Sequence, residues 1–323
     1  MTGKSCLCGN YNLLVLLGPT ASGKTRLAAK LASLLGGEVI SADSRQVYRG
    51  MDLGTGKDYS DYFVDKKQIT CHLVDIVDAG YHYNVYEYQR DFLEVYNRLA
   101  GRQVFPILCG GSGLYLEAVL HGYRLTEVPP DETLRSEMAS LPHEALVARL
   151  AELRPLHNTT DTETKKRTIR AIEIALYTDA HPIEEVAYPR LNPLLVGLLP
   201  NRDLRRESIA KRLEERLDAG LVEEVARLLE QGITPEGLEY YGLEYKFLTR
   251  YLKGEYNYET MKMLLTTAIC QFAKRQMTWF RRMERQGMAI CWLDASEPVA
   301  MQADRVLAIL KGESVPGPES KSP

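Results

Sequence analysis

The sequence predicts an α/β fold, in which helices flank a parallel β-sheet and a helical insertion interrupts the chain near its middle. Short apolar runs alternate with stretches of helical periodicity, and a glycine-rich loop joins the first run to the first helix. The strand pattern stops near residue 120 and returns near residue 193. Strands that alternate with helices form parallel sheets, and such sheets bind ligands at the carboxyl ends of their strands.

Three strands and one helix are predicted before residue 120. Asn12–Leu17 is an apolar run that stops at the glycine loop, and Lys24–Leu35 then carries apolar residues at helical spacing. Glu38–Ser41 and Gln103–Cys109 are two further predicted strands. The polar and glycine residues that follow these strands are therefore expected at one edge of the sheet.

Residues 121–192 contain several helical stretches and no convincing buried strand, which predicts a helical insertion. Leu194–Leu199 is an apolar strand again, so the α/β core is expected over 11–120 and 193–311.

The rest of the core is predicted to be mainly helical. Arg202–Gln231 and Met261–Glu284 have the periodicity of long amphipathic helices, and Ala289–Leu293 predicts a last strand. Residues 1–10 and 312–323 lack apolar periodicity and are predicted to be disordered.

The composition is typical of a globular protein. Of the 323 residues, 45% are hydrophobic and 26% charged, and no apolar run approaches the roughly 18–20 residues that span a bilayer. The first ten residues lack the apolar core of a signal peptide, and the six cysteines do not suggest a disulfide framework. A cytoplasmic protein without a membrane segment is expected, with a monomer as the default. The net charge of −3 disfavours histone-like binding but allows local basic patches.

The glycine loop matches the phosphate-binding pattern G-x-x-x-x-G-K-[ST] and lies between a predicted strand and a predicted helix. This P-loop consists of Gly18, Pro19, Thr20, Ala21, Ser22, Gly23, Lys24 and Thr25. Its backbone N–H groups and the helix N-terminus favour an anion, and Lys24 adds a positive charge. The hydroxyl of Thr25 is expected to bind Mg²⁺ that bridges phosphate oxygens. A di- or triphosphate is therefore the predicted ligand.

The type of chemistry depends on where the carboxylates lie. P-loop proteins that hydrolyse nucleotides usually end an apolar strand in a metal-holding Asp, but Gln103–Cys109 is followed by two glycines. Asp43 instead follows the strand Glu38–Ser41. It can be a turn or N-cap residue, or a general base that faces an acceptor nucleophile.

The chain resembles the tRNA dimethylallyltransferases, also called tRNA isopentenyltransferases. Six segments carry the resemblance in the family's order: GPTASGKT at 18–25, SADSRQVYRGMDLGTGK at 41–57, HLVDI at 72–76, GGSGLYLEAV at 110–119, RTIRAIE at 167–173 and KRQMTWFRR at 274–282. The P-loop alone is generic, whereas the second and last segments are specific to this family.

The resemblance implies a prenyl transfer that releases diphosphate. The P-loop would hold dimethylallyl diphosphate with Mg²⁺, and the exocyclic amine of the adenosine 3′ to the anticodon would attack the allyl group. By the same resemblance, Asp43 is the catalytic base, Ser112 contacts the acceptor amine in place of the family's Thr, and Arg212 neutralises the departing diphosphate.

The resemblance also implies that the insertion contacts the anticodon stem-loop of tRNA, and that the target base is extracted from its stack. Three groups of residues are the expected tRNA contacts. They are Asp43, Ser44, Arg45 and Gln46; Lys166, Arg167, Thr168, Ile169 and Arg170; and Lys274, Arg275, Gln276, Met277, Thr278, Trp279, Phe280 and Arg281. Helical spacing puts Lys274, Thr278 and Arg281 on one face.

Several positions depart from the family pattern. They are Asp58, where Pro is usual, Ala79, the segment 157–161, and Glu244, where a basic residue is usual. All are expected in loops or tRNA contacts, away from the diphosphate. They indicate a divergent branch with altered tRNA contacts.

Three alternatives remain. An adenylate isopentenyltransferase would use the same chemistry on free AMP, ADP or ATP, but it would not need the insertion or the segment 274–282. A nucleoside-monophosphate-type kinase would show an Arg-rich lid, and a non-catalytic tRNA-binding protein would not need an intact P-loop with Asp43.

Overall fold

The computed structural model describes residues 11–156, 160–181 and 188–313. The predicted disorder of 1–10, most of the tail from 312, and the departures at 157–159 lie outside these ranges. Contacts divide the chain into a larger unit, which runs to His121 and resumes at Arg190, and a smaller unit, Gly122–Pro189. Within the described ranges, no helix is both long and apolar enough to cross a membrane.

A six-stranded parallel sheet forms the centre of the larger unit, and a two-stranded antiparallel hairpin is separate from it. The strands are β1 (Leu13–Leu17), β2 (Glu38–Ser41), β3 (Phe63–Val64), β4 (Lys67–Gln68), β5 (Cys71–His72), β6 (Pro106–Gly110), β7 (Pro193–Leu199) and β8 (Ile290–Asp294). The parallel sheet has the order β5-β2-β6-β1-β7-β8, and the hairpin contains β3 and β4. The predicted parallel α/β fold is confirmed.

The central strand β1 explains why its sequence is an unbroken apolar run. It pairs with β6 on one side and β7 on the other, and all five of its residues are fully buried. Leu13, Val15 and Leu17 pack in the core on one face of the sheet, while Leu14 and Leu16 pack in the core on the other. Both faces are therefore covered by helices, which removes the usual alternation of apolar and polar residues.

The described residues of the larger unit form nine α-helices around the sheet and on one another. They are α1 (Lys24–Leu35), α2 (Val85–Gly101), α3 (Gly113–Leu120), α7 (Arg202–Asp218), α8 (Leu221–Glu230), α9 (Pro235–Tyr240), α10 (Leu243–Leu252), α11 (Tyr258–Arg285) and α12 (Val299–Leu310). The stretch predicted as helical over Arg202–Gln231 forms two helices, because Gly220 takes a φ of 99° between them. The strand predicted from Gln103 begins only at Pro106, since Gln103 has a φ of 56° and the Val104 N–H donates to Leu99 O at the end of α2.

The smaller unit is helical throughout its described residues. It contains α4 (Glu132–Ser140), α5 (His143–Leu153) and α6 (Lys165–Ala180), with a 3₁₀ turn at Thr160–Thr162. Its core is made by Met138, Leu146, Leu150, Ala171 and Ile172.

Candidate active site

The P-loop joins the carboxyl end of β1 to the first turn of α1. Gly18 and Gly23 have φ values of 151° and 83°, which favour glycine. A Cβ on Gly18 would lie 2.8 Å from the carbonyl oxygen of Leu198, so the loop also passes too close to β7 for a side chain. Lys24 and Thr25 begin α1, whose first turn contains no acidic residue. The helix N-terminus is thus left available to an anion.

Lys24 is a cation without an acidic partner in direct contact among the described residues. Its Nζ donates to the carbonyl oxygen of Pro19 at 2.7 Å and lies 3.5 Å from the Ser22 hydroxyl. Burial, with a smaller contribution from the charge of Arg212, lowers the pKa of Lys24 to about 8, although Cys109 and Asp43 oppose the shift. A bound anion would restore the charged form, as expected at a phosphate site.

Asp43 and Ser112 come together from the ends of β2 and β6. Ser112 N–H donates to Ala42 O at 3.2 Å, and the N–H of Ser44 donates to Ser112 Oγ at 3.0 Å. A Cβ on Gly110 would lie 2.2 Å from Ala42 O, so only glycine lets these two strand ends approach so closely. Asp43 Oδ1 accepts the Arg45 N–H at 2.9 Å. Asp43 thus makes a turn, and its Oδ2 has no partner among the described residues.

Gln276 links the P-loop to this strand end. The N–H of Thr20 donates to Gln276 Oε1 at 2.8 Å, and Gln276 Nε2 donates to Gly111 O at 2.9 Å. The side chain is only 9% exposed. The family resemblance predicts a tRNA contact for Gln276, whereas in the structure its amide holds together two loops of the site.

Arg212 lies beside the P-loop in an ion pair that the sequence did not predict. Its Nη2 is 2.5 Å from Asp58 Oδ2, and Arg216 Nη2 is 3.2 Å from Asp58 Oδ1. Glu244 lines a small cavity together with Thr20 and both arginines. The expectation that Asp58 and Glu244 lie away from the diphosphate residues is therefore wrong. The spacing of four residues between Arg212 and Arg216 was a signal available in the sequence, because it puts both on one helix face.

The segment 274–282 of α11 has one exposed face and one buried face. Lys274, Arg275, Thr278 and Arg281 are exposed, in agreement with helical spacing. The side chains of Met277 and Phe280 are 6% and 0% exposed and belong to the core, which leaves almost no side-chain surface for the tRNA contact that was predicted for them.

Trp279 and Arg282 support the Ser112 loop. A Cβ on Gly113 would lie 2.3 Å from the Trp279 ring, and the guanidinium of Arg282 stacks on that ring at 4.0 Å. Arg282 also forms an ion pair with the buried Glu117 at 2.6 Å. Trp279 therefore packs against the Ser112 loop, and its side chain is only partly exposed.

The basic residues of α6 differ in their surroundings. Lys166 and Arg167 are exposed, and Arg167 pairs with Glu163. Arg170 pairs with the buried Glu173, and its Nη2 donates to Val128 O at 2.8 Å.

The other two residues of that segment are held inside the smaller unit. Thr168 is fully buried and donates to Thr164 O at 3.1 Å, and Ile169 packs on the core of the unit. Of the residues 166–170, Lys166 and Arg167 are therefore the two whose charged groups are exposed to solvent.

The residues after Asp43 form the rim of the site. The Arg45 guanidinium lies 5.2 Å from the centre of the Tyr240 ring, and Tyr240 in turn contacts the ring of His82. Gln46 Nε2 donates to Gly56 O at 3.1 Å, and Gln46 Oε1 accepts from Ser41. Arg45 therefore extends onto an aromatic surface, while Gln46 is tied to the loop that contains Asp58.

Thr25 is suited to a divalent cation that a phosphate ligand would share. Its hydroxyl makes no hydrogen bond with any described residue. No group of three or more His, Cys, Asp or Glu within the described part of the chain could hold a metal by itself. A hard cation here would take the Thr25 oxygen, phosphate oxygens and water, which is the usual Mg²⁺ arrangement.

The sheet order defines the class: an α/β protein with helices around a six-stranded parallel sheet and its candidate site at the carboxyl edge of that sheet. The sequence model of the IPP transferase family matches residues 46–283. The chain belongs to this family, which confirms the resemblance seen in the sequence.

Individual relatives agree with the family. The chain is 56% identical over 302 residues to a protein named tRNA dimethylallyltransferase 2 of Bacteroides fragilis, covering 94% of this chain and 99% of that one. It is 52% identical to a tRNA dimethylallyltransferase 1 of Geotalea daltonii, covering 95% and 98%. The solved tRNA isopentenylpyrophosphate transferase of Bacillus halodurans is similar at 30% identity, with a TM-score of 0.68 over 94% of this chain and 96% of the other. A eukaryotic dimethylallyltransferase acting on tRNA, at 20% identity and a TM-score of 0.76 over 97% and 82%, shares the fold.

Proposed function

We propose that this protein transfers a dimethylallyl group from dimethylallyl diphosphate to the exocyclic amine of an adenosine next to the anticodon of tRNA. The observation that carries the proposal is the meeting of Asp43 and Ser112 at neighbouring strand ends beside Lys24. The relatives named as tRNA dimethylallyltransferases, which match over almost their full length, support it.

The chemistry is an alkyl transfer. The amine nitrogen forms a bond to C1 of the allyl group, the C1–O bond breaks, and its electron pair leaves with the diphosphate. Asp43 takes the amine proton through Oδ2, and the Ser112 hydroxyl orients the amine. Lys24, the P-loop N–H groups and Arg212 neutralise the charge that grows on the leaving diphosphate.

Mg²⁺ is part of the proposal. The Thr25 hydroxyl would hold it, and it would supply further positive charge to the diphosphate oxygens. The chain's own cations remain necessary because a divalent ion cannot contact all the oxygens of a diphosphate.

tRNA is a better acceptor for this site than a free nucleotide. The exposed face of α11 presents Lys274, Arg275 and Arg281, none of which has an ion pair among the described residues. Such a row of cations suits a phosphate backbone, and a free adenosine phosphate would not need it. A cytoplasmic, monomeric enzyme completes the proposal.

Labelled dimethylallyl diphosphate distinguishes these acceptors. The protein is incubated with Mg²⁺ and either an unmodified anticodon stem-loop or AMP, and incorporation of label is measured. We expect label in the RNA only. Label in AMP but not in RNA would establish the adenylate enzyme instead.

Asp43→Asn tests the proposed base. It should lower turnover by roughly 10²–10⁴-fold while the affinity for inorganic diphosphate stays within about twofold. Asp78→Asn is the matched control, since Asp78 is exposed and pairs with Arg49 away from the strand ends. Normal turnover in the Asp43 variant would exclude this carboxylate as the base.

A further inference from the structure

Arg216 is a buried cation with an unsatisfied donor. Its side chain is 11% exposed, and its Nε is fully buried without a hydrogen-bond partner in the described part of the chain. Burial lowers the pKa of Arg216, and the nearby charge of Arg212 lowers it further. A buried donor without a partner costs free energy, so such a group usually awaits a ligand or an ordered water.

The surroundings of Arg216 identify the class of ligand. The small cavity that it lines also contains Thr20 and Ala21 of the P-loop, together with Arg212 and Glu244. Two guanidinium groups that converge on a phosphate-type loop match the geometry and charge of phosphate oxygens. The two guanidinium groups in its wall therefore favour an anion bound at the P-loop as the ligand.

Asp58 holds the two arginines together. Burial alone would raise the pKa of Asp58, but the charges of Arg212 and Arg216 outweigh it and hold the pKa below its usual value. The carboxylate contacts one terminal nitrogen of each guanidinium. The other N–H groups of Arg212 and Arg216 are not used by Asp58 and stay available to a further anion.

The side chain of Glu224 anchors the loop that leads to Asp58. Glu224 accepts the N–H groups of Asp52, Leu53 and Gly54 at 2.9–3.0 Å. Gly56 then allows the arginines to approach, because a Cβ there would lie 2.5 Å from Arg216 Nη2. Asp58 therefore follows a segment whose backbone is held by hydrogen bonds to a buried carboxylate.

We propose that Arg216 is a second guanidinium that binds the diphosphate of the donor, and that Asp58 is the positioning residue that holds Arg212 and Arg216 beside the P-loop. The proposal rests on the proposed function, because it takes the P-loop ligand to be a diphosphate. Without Asp58, the two like charges would repel each other and only one would stay directed at the loop.

Calorimetric titration with inorganic diphosphate and Mg²⁺ measures the Kd of diphosphate. Steady-state kinetics with dimethylallyl diphosphate and an anticodon stem-loop measures the KM of the donor and the KM of the RNA. Arg216→Met should raise the Kd of diphosphate and the KM of the donor about tenfold. The kcat should also fall, because the guanidinium would stabilise the charge that grows on the leaving diphosphate, whereas the KM of the RNA should stay within about twofold. Lys211→Met is the matched control, because Lys211 lies on the same helix with its side chain 80% exposed; its diphosphate Kd should not change.

Asp58→Asn tests the positioning role. It should raise the diphosphate Kd about three- to fivefold in the wild-type background, and by less when Arg216 is already Met. A smaller effect in the double variant is not expected if Asp58 merely stabilises the fold. Tighter diphosphate binding by Asp58→Asn would overturn the positioning role and make Asp58 a competitor of the ligand.

Three outcomes complete the test. An unchanged diphosphate Kd in Arg216→Met, with clear weakening in Lys24→Met, would show that Arg216 is only structural. If the Met variant does not fold, Arg216→Gln replaces it, and an unchanged Kd there overturns the proposal equally. Diphosphate binding that depends on Arg216 in a protein that prenylates no RNA would refute the proposed function but leave this inference standing.

Discussion

Raising the pH above 8 should weaken diphosphate binding, because Lys24 then loses its proton in the free protein. Burial holds the pKa of Lys24 at about 8, whereas an ordinary lysine titrates near 10.5. The sign is fixed by which form binds: the cation attracts the diphosphate, and the neutral amine prevails above the pKa. With a pKa of about 8, the apparent Kd rises roughly tenfold between pH 7 and pH 9. An unshifted lysine would change it by only about 3% over that range.

Calorimetric titration with inorganic diphosphate at constant ionic strength, from pH 7 to 9.5, measures this rise directly. Cys109 does not interfere, because burial raises the pKa of its thiol to about 12. Lys24→Arg is the control: its guanidinium stays charged throughout, so any change of its Kd with pH reports the protonation of the diphosphate itself. A Kd that changes with pH in the same way in the wild-type protein and in Lys24→Arg would refute the reasoning.

Three further predictions concern the surroundings of the site. Gln276→Leu leaves two backbone groups without partners and should lower the free energy of unfolding by about 2–3 kcal/mol in urea titrations; a loss below about 0.5 kcal/mol would show that water replaces the amide. Glu117→Gln should cost about 1–2 kcal/mol in the same assay, since Arg282 loses its buried counter-charge but is itself 34% exposed. Tyr240→Ala removes the ring beneath Arg45 and should raise the KM of the RNA about five- to tenfold without changing the KM of the donor. An equal rise in both KM values would show that this ring does not act specifically on the RNA.

Local sequence signals predicted the parts of the fold that depend on local structure. The helix Lys24–Leu35 and the strand Glu38–Ser41 occur with the predicted bounds. A glycine immediately precedes each of them, Gly23 and Gly37, and the apolar spacing within each is unambiguous. The start of β6 was misplaced because Val104 is apolar but completes the end of α2. Apolar periodicity cannot distinguish a strand from the end of a helix when both are buried.

The contacts between distant residues could not be predicted in the same way. Gln276 lies in a basic segment and was interpreted as an RNA contact, although its partners are backbone groups of Thr20 and Gly111. Nothing local in the sequence distinguishes an amide that faces solvent from one that bridges two loops. Only the packing of α11 against the strand ends reveals the difference.

The departures from the family pattern make physical sense as a set. A lone Asp58 beside Arg212 would cancel the positive charge that a diphosphate needs. Arg216 lies one helical turn further on and restores it, because two guanidinium groups and one carboxylate leave one net positive charge beside the P-loop. Burial raises the pKa of the Glu244 carboxyl, in opposition to the charges of Arg216 and Arg212. The acidic residue at 58 therefore changes the geometry of the anion site, while Arg216 supplies a second positive charge beside Arg212.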